Sequence, residues 1–395
     1  MDALTTPSNW QKVRLGDIAE IKRGASPRPI ENPKWFCTNS NVGWVRISDI
    51  SKNSRFLYKT AQKLSKKGIE KSRLVKQNSL IMSMCATIGK PIITKIDTCI
   101  HDGFVVFENP KIDLNYLYYF LCYIEKEWLE SGQQGSQVNL NVDLIKNKEV
   151  FYPKDLNEQI AIANILSDVD HYLYSLDALI LKKESVKKAL SFELLSQRKR
   201  LKGFNQAWQR VRLGDIGKPC MCKRVMKHQT TRYGEIPFYK IGTFGNTADA
   251  FISKKLFLEY KTKYSFPKKG DILISASGTI GRAVIYDGKP AYFQDSNIVW
   301  IDNDETLVKN DFLFYAYSHV KWNTEHTTIL RLYNDNFRNT LIPLPPLNEQ
   351  IAIANILSGL DNEITSLKNK KRQFGNIKKA LNHDLMSAKI RVLKN

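Results

Sequence analysis

The side chains of this sequence best equipped for chemistry are cations and hydroxyls in the segments between short apolar runs. One set is Arg23, Ser26, Arg28, Lys34, Arg46, Lys63, Lys66, Lys67 and Arg73; a second is Lys223, Arg224, Lys227, Arg232, Lys240, Lys254, Lys255, Lys261 and Lys263. Arginine and lysine suit guanine edges and phosphate oxygens, and hydroxyls suit phosphates, so both sets fit a polyanion with readable edges. Any one of them can equally be a solvated surface charge. Thr87 and Thr279 sit in matching turns, Ala-Thr-Ile-Gly and Gly-Thr-Ile-Gly, as phosphate donors or simply as turn residues. Arg331 is a further candidate.

Catalytic constellations are not legible. Neither GTIGR nor ATIGK has the length or the ending of a nucleotide-binding loop. No Asn/Asp-Pro-Pro-aromatic tetrad occurs, because Pro345-Pro346 is followed by Leu347. His101-Asp102 could suggest a metal dyad, but its counterpart is Gln294-Asp295, so only the aspartate recurs and it is expected to end a loop. The six cysteines are scattered; Cys220-Met-Cys222 is one close pair without a second, which points to reduced thiols rather than zinc. No metal, cofactor or catalytic residue is therefore expected.

The chain has 395 residues, 43% hydrophobic and 25% charged, enough for two or more folded domains. It lacks a run of apolar residues long enough to span a bilayer, and its first residues do not read as a secretory signal, so a cytoplasmic location is expected. Net charge is +21. Residues 1–156 hold 23 basic and 16 acidic residues, net +7, and residues 204–347 hold 20 and 13, again net +7. The stretches 157–203 and 348–395 carry only +2 and +5. Two segments of equal positive charge suggest two similar polyanion-facing surfaces.

These segments are tandem copies. Trp10-Gln-Lys-Val-Arg-Leu-Gly-Asp-Ile18 returns as Trp208-Gln-Arg-Val-Arg-Leu-Gly-Asp-Ile216, LIMSMCATIGK matches ILISASGTIGR, and YLYYFLCY aligns with FLFYAYSH. NEQIAIANILS occurs unchanged at 157–167 and 348–358. Strand-like runs (VGWVRISDI, GFVVFE, DILISAS, NIVWID) precede a helical aromatic segment in each copy, which gives an α/β or α+β domain. Each NEQ then opens a long helix, with Asn157 or Asn348 as expected N-cap and the acid in the first turn. The first helix has a heptad seam of Ile162, Leu166, Val169, Leu173, Leu176, Leu190 and Leu194. The second repeats it as Ile353, Leu357, Leu360, Ile364, Leu367, Phe374, Leu381 and Leu385. Lys187 and Lys378 interrupt both at the same place. Such a pattern predicts a coiled coil. The helix-face lysines (Lys182, Lys183, Lys187, Lys188; Lys368, Lys370, Lys371, Lys378, Lys379) read as solvated or partner-facing.

The expected domains are 1–156 and 204–347, globular, with helices in 157–203 and 348–395. An antiparallel pairing would put the globules at opposite ends of a rod, about a pseudo-twofold axis. The first seam, from Ile162 to Leu194, would span roughly 50 Å, or about 15 base pairs of B-DNA. In this order of variable globule, NEQ-headed helix, second globule and PLPPLNEQ-headed helix, the chain resembles the specificity (S) subunit of type I restriction–modification systems. WQxVRLGDI, IKRGASPRP, the ATIGK and GTIGR turns and PLPPLNEQ carry the resemblance over essentially the whole length. Phe151-Tyr-Pro-Lys-Asp155 departs from it, lacking the proline-rich approach seen at 343–346.

The resemblance implies a non-catalytic subunit in which each globule reads half of a split double-stranded DNA target. The helices would set the spacer and dock two modification (methyltransferase) subunits, and restriction (translocase/nuclease) subunits would join that complex. S-adenosylmethionine, ATP and Mg would belong to those partners, and no membrane is involved. The alternative is a two-headed DNA-binding protein with its own nuclease or methyltransferase activity.

Overall fold

The computed structural model describes residues 7–51, 55–131, 140–323 and 331–392. The chain forms two compact units, Met1–Asp177 with Lys370–Asn395, and Ala178–Asn369. Each unit contains one globule, the start of the long helix that follows it and the end of the other long helix.

In the first unit the strands are β1 (Trp10–Arg14), β2 (Glu20–Arg23), β3 (Gly43–Val45), β4 (Phe56–Leu57), β5 (Gln62–Lys63), β6 (Arg73–Val75), β7 (Leu80–Ser83), β8 (Pro91–Thr94), β9 (Thr98–Ile100), β10 (Phe104–Glu108) and β11 (Glu149–Pro153). They make a principal sheet, β2-β10-β7-β8-β4, a smaller sheet, β5-β3-β9-β6, and the pair β1-β11. The second unit has β12 (Gln209–Arg212), β13 (Gly217–Met221), β14 (Ile236–Tyr239), β15 (Phe251–Ile252), β16 (Ile272–Ser275), β17 (Ala283–Ile285), β18 (Tyr292–Phe293), β19 (Ile298–Asn303) and β20 (Leu341–Leu344). Its sheets, β13-β19-β16-β17, β15-β14-β18 and β12-β20, repeat the plan without counterparts of β4 and β6. Both smaller sheets contain one parallel pair, β3 with β9 and β14 with β18.

The apolar runs of the central strands are continuous rather than alternating because these strands, β7 and β10 in the first unit and β16 and β19 in the second, are buried on both faces. Along β10, Val105 and Phe107 enter one core with the helices while Phe104 and Val106 enter another with the smaller sheet. Val299 and Ile301 of β19 likewise face the helices, and Ile298 and Trp300 face the smaller sheet. This is the two-residue period of a strand serving two layers. Each fully enclosed Phe, Ile or Val contributes about 1.5–3 kcal/mol.

The long helices, Leu156–Leu195 and Leu347–Met386, have 40 residues each, about 60 Å at ~1.5 Å per residue. In the first unit Lys378 pairs with Asp170 and Lys371 with Asp177, and the Tyr172 and Phe374 rings lie 4.6 Å apart. In the second, Lys368 pairs with Glu184 and Lys187 with Asp361. One helix therefore ascends as the other descends in both units, as expected of an antiparallel pair. Ile162, Leu166, Leu176, Leu194, Ile353, Leu357, Ile364 and Leu385 are buried. Val169, Leu173, Leu190, Leu360, Leu367, Phe374 and Leu381 are half-buried. Ile180, buried, completes the first heptad series and was not among the expected positions.

The structure differs from the sequence expectation at the helix starts and at the helix lysines. The helices begin at Leu156 and Leu347, so Asn157 and Asn348 lie within the first turn and are exposed; Asp155 Oδ1 accepts from the Asn157 N–H at 2.9 Å instead. Of the helix lysines, Lys183, Lys187, Lys368, Lys371 and Lys378 form ion pairs with the opposite helix and are not simply solvated.

Candidate nucleic-acid interface and the joints behind it

The smaller sheet and its surroundings carry most of the candidate readers in each unit. Lys63 lies on β5, Arg73 on β6, and Arg46 directly follows β3. Lys34 is in the 3-10 turn Pro33–Trp35, where its ammonium sits 4.3 Å from the Trp35 ring centre. Lys66 and Lys67 open the helix Lys66–Glu70, capped by Ser65, whose hydroxyl also donates to the Lys34 carbonyl. In the second unit Lys240 follows β14, at the place Arg46 takes after β3. Lys254, Lys255, Lys261 and Lys263 stand exposed on the helix Lys254–Lys263. Arg232 is exposed in the loop before β14, Lys227 lies in the turn Lys227–Gln229, and Lys223 sits 5.1 Å from the Tyr264 ring centre.

A carboxylate organises the arginines of each unit from the same place, two residues beyond β9 or β18. Asp102 accepts from Ser26 Oγ at 2.7 Å and Arg28 Nη2 at 2.9 Å, and its carbonyl accepts from Arg23 Nε at 2.7 Å. Arg73 Nε in turn donates to the Arg23 carbonyl. The Ser26 hydrogen bond first, then a hydrogen bond from its own backbone N–H and the Arg28 charge, hold the Asp102 carboxyl below the usual range against the opposing effect of burial. Asp295 accepts from Arg224 Nε at 2.8 Å. Such preordering spares a guanidinium part of its rotamer cost when it meets a flat edge. The shared Asp was legible in the sequence, but not that it fastens cations. His101 is neutral and serves the core: burial lowers its pKa to about 4, and its Nδ1 accepts from the Gly103 N–H at 2.9 Å.

The two threonines differ. Thr279 is exposed, whereas the Thr87 hydroxyl is shielded from solvent and meets no partner among the described residues, a place no phosphate can reach without opening the turn. Both turns are packing features. Gly89 (φ +74°) and Gly281 (φ +81°) lie against Trp128 and Trp322, where a Cβ would fall 2.2 Å and 2.0 Å from an indole atom. Arg331 is exposed and forms an isolated bridge with Ser277. Cys220 is half-buried and Cys222 buried, and burial raises both thiol pKa values, that of Cys222 to about 12.

Behind these surfaces, the repeated motifs close on one another. Glu349, 1% exposed, accepts from Trp208 Nε1 at 2.9 Å and from Arg200 Nε and Nη2 at 2.9 and 2.8 Å. Glu158, 2% exposed, accepts from Trp10 Nε1 at 3.2 Å and Asn9 at 2.9 Å, with Arg391 at 3.6 Å. Gln159 and Gln350 accept from the Asp113 and Lys309 N–H groups and donate to the Pro153 and Pro345 carbonyls. Trp of WQxVRLGDI and Glu-Gln of NEQ are thus one joint, built twice. Position in the first turn marks each Glu as a dipole partner and does not show this joint. The signal available was the coincidence of an unchanged Trp, Glu and following Arg in both copies.

A second duplicated contact ties each globule to both helices. Tyr119, on the helix Leu114–Tyr123, donates to Asp170 at 2.7 Å, and Lys378 pairs with the same carboxylate. Tyr315, on Asn310–Tyr317, donates to Asp361 at 2.8 Å, and Lys187 pairs with it. In the first unit buried Arg55, absent from the sequence candidates, adds hydrogen bonds to Tyr119 Oη at 2.9 Å and Ser167 at 2.7 Å.

Fold and site together define a duplicated α+β protein in which each unit carries basic side chains around its smaller sheet. The model of the type I restriction modification DNA specificity domain matches residues 7–183 and 205–373, and the chain belongs to that family. A Haemophilus influenzae protein that carries the name of a type I restriction enzyme specificity subunit is 57% identical over 171 residues, 43% of this chain and 44% of that one, less than half of either. The type I restriction enzyme MjaVIII specificity subunit of Methanocaldococcus jannaschii is 26% identical over 99% of this chain and 95% of its own. The crystal structure of a type I restriction–modification S subunit from M. genitalium superposes with a TM-score of 0.61 over 97% of each chain, at 16% identity, which establishes a shared fold. No helix among the described residues is long and apolar enough to cross a membrane.

Proposed function

We propose that this chain is the DNA-recognition subunit of a type I restriction–modification complex, each globule reading one half of a two-part duplex target. The observation that carries this reading is the recurrence of one arrangement in unlike surroundings. Asp102 with Arg23 and Arg28, and Asp295 with Arg224, hold arginines at corresponding sites on two domains of equal net charge, while the neighbouring loops differ. Equal charge suits a common phosphate backbone; unlike loops suit unlike bases.

The paired helices carry the separation between half-sites and seat two methyltransferase subunits, with translocase/nuclease subunits joining them in the cytoplasm. This chain performs no chemistry of its own; S-adenosylmethionine, ATP and Mg are held by the partners. The test has two parts. Methylated adenines mapped in the host genome should fall in a split sequence with a fixed gap. The purified chain alone should neither cut nor methylate duplexes bearing that sequence, and should support methylation once the methyltransferase subunits are added. Methyl transfer or cleavage by the chain alone overturns the proposal.

A further inference from the structure

The contact that ties each globule to the helix pair is made twice with the same chemistry, although the globules around it diverge. A tyrosine hydroxyl from the globule donates to an aspartate on one long helix, at 2.7 Å in the first unit and 2.8 Å in the second. A lysine from the other long helix takes the second oxygen of that aspartate, and its ammonium stands 5.8 or 5.6 Å from the centre of the tyrosine ring. Asp170 and Asp361, and Lys187 and Lys378, are each 191 positions apart, the same offset as the repeated NEQ helix.

The lysines lie on the heptad seam, where an aliphatic side chain would pack better. Asp170 and Asp361 keep 20% and 37% of their side-chain surface, so the ion pairs add little stability. A polar group retained at a seam position serves registry rather than strength. Here it also engages a third element. Three partners on three elements define an orientation, which a single apolar contact does not.

We infer that Tyr119–Asp170–Lys378 and Tyr315–Asp361–Lys187 are positioning latches that fix the angle at which each recognition globule leaves the helix pair, and so set how strictly the protein measures the gap between its two half-sites. The inference rests on the reading of a two-part target given above. None of the six residues touches a base; they act through the globules they hold.

The experiment uses the complex of the full chain with its methyltransferase subunits. Its substrates are duplexes carrying the mapped target, with the gap lengthened or shortened by one base pair, and duplexes with one half-site base changed. For Tyr119→Phe/Tyr315→Phe, preference for the native gap should fall by about tenfold, the equivalent of a charge-assisted hydrogen bond, while base preference stays within about twofold. A second variant, Lys187→Met/Lys378→Met, separates latch from scaffold. It should melt at or above the parent temperature, because the seam becomes apolar, and still lose gap preference. A lower melting temperature with gap and base preference falling together would mean a merely structural role and overturns the inference. So does unchanged gap preference in both variants beside a selective parent, a result that leaves the recognition function standing. A parent that methylates every duplex alike overturns the recognition function itself.

Discussion

Replacing one buried carboxylate in each copy of the NEQ joint should give unequal losses, and the inequality can be worked from the two geometries. Glu349 receives a two-pronged guanidinium and an indole N–H, all within 2.9 Å. Glu158 receives an amide and an indole at 2.9 and 3.2 Å, and its arginine stands off at 3.6 Å. Glu349→Gln removes the charge and presents an amide N–H to donors that can no longer be satisfied. Breaking a buried pair costs about 3–5 kcal/mol, and with Arg200 29% exposed the lower end applies, about 3 kcal/mol. Glu158→Gln loses a looser contact, about 1–2 kcal/mol. Because a chain of two units need not unfold in one step, the losses should be read locally, by amide hydrogen exchange. Opening of β12 and β20 should rise roughly a hundredfold in Glu349→Gln, and that of β1 and β11 about tenfold in Glu158→Gln. Equal effects, a larger effect at Glu158, or changes under about threefold at both sites would refute the reasoning.

Arg28→Ala should cost about 1–3 kcal/mol on the native target and relax one base position, whereas Lys66→Ala should weaken all sequences alike and flatten the salt dependence, as binding isotherms at several salt concentrations will show. His101, with a pKa near 4 in the fold against 6.5 when exposed, takes its proton first in the unfolded chain. Stability of the first unit should therefore rise with pH between about 4 and 6.5 by up to ~3 kcal/mol, and His101→Gln should flatten that slope in melts across the range. Gly281→Ala forces a Cβ to within 2.0 Å of Trp322 Nε1 at a φ of +81°, and should lower the melting temperature of the second unit by a cost above about 2 kcal/mol. Trp322→Phe in the same chain should recover part of that loss.

Features with a local period were legible in the sequence. The heptads from Ile162 and Ile353, the strands in GFVVFE and NIVWID, and the tandem copy itself appear in the structure where expected. What escaped was what depends on partners far along the chain. Glu158 and Trp10 are 148 residues apart, and nothing in the spacing of either indicates the other. Asn157 resembled a cap because its type is right, yet Asp155 had already supplied the oxygen. Lys187 and Lys378 resembled breaks in the seam, since their acids lie on the other helix. Arg55 gave no pattern at all, being a single cation among aromatic rings.

Each principal sheet separates two cores, and this division has an adaptive meaning. Phe238, Phe257, Tyr292 and Trp300 pack under the smaller sheet of the second unit, whereas Leu313, Phe337, Ile353 and Leu357 pack on the far side with the helices. Side chains of the outer layer can therefore be exchanged without displacing those packed against the long helices beneath it. Diversification and mechanical integrity are insulated from each other by one strand thickness.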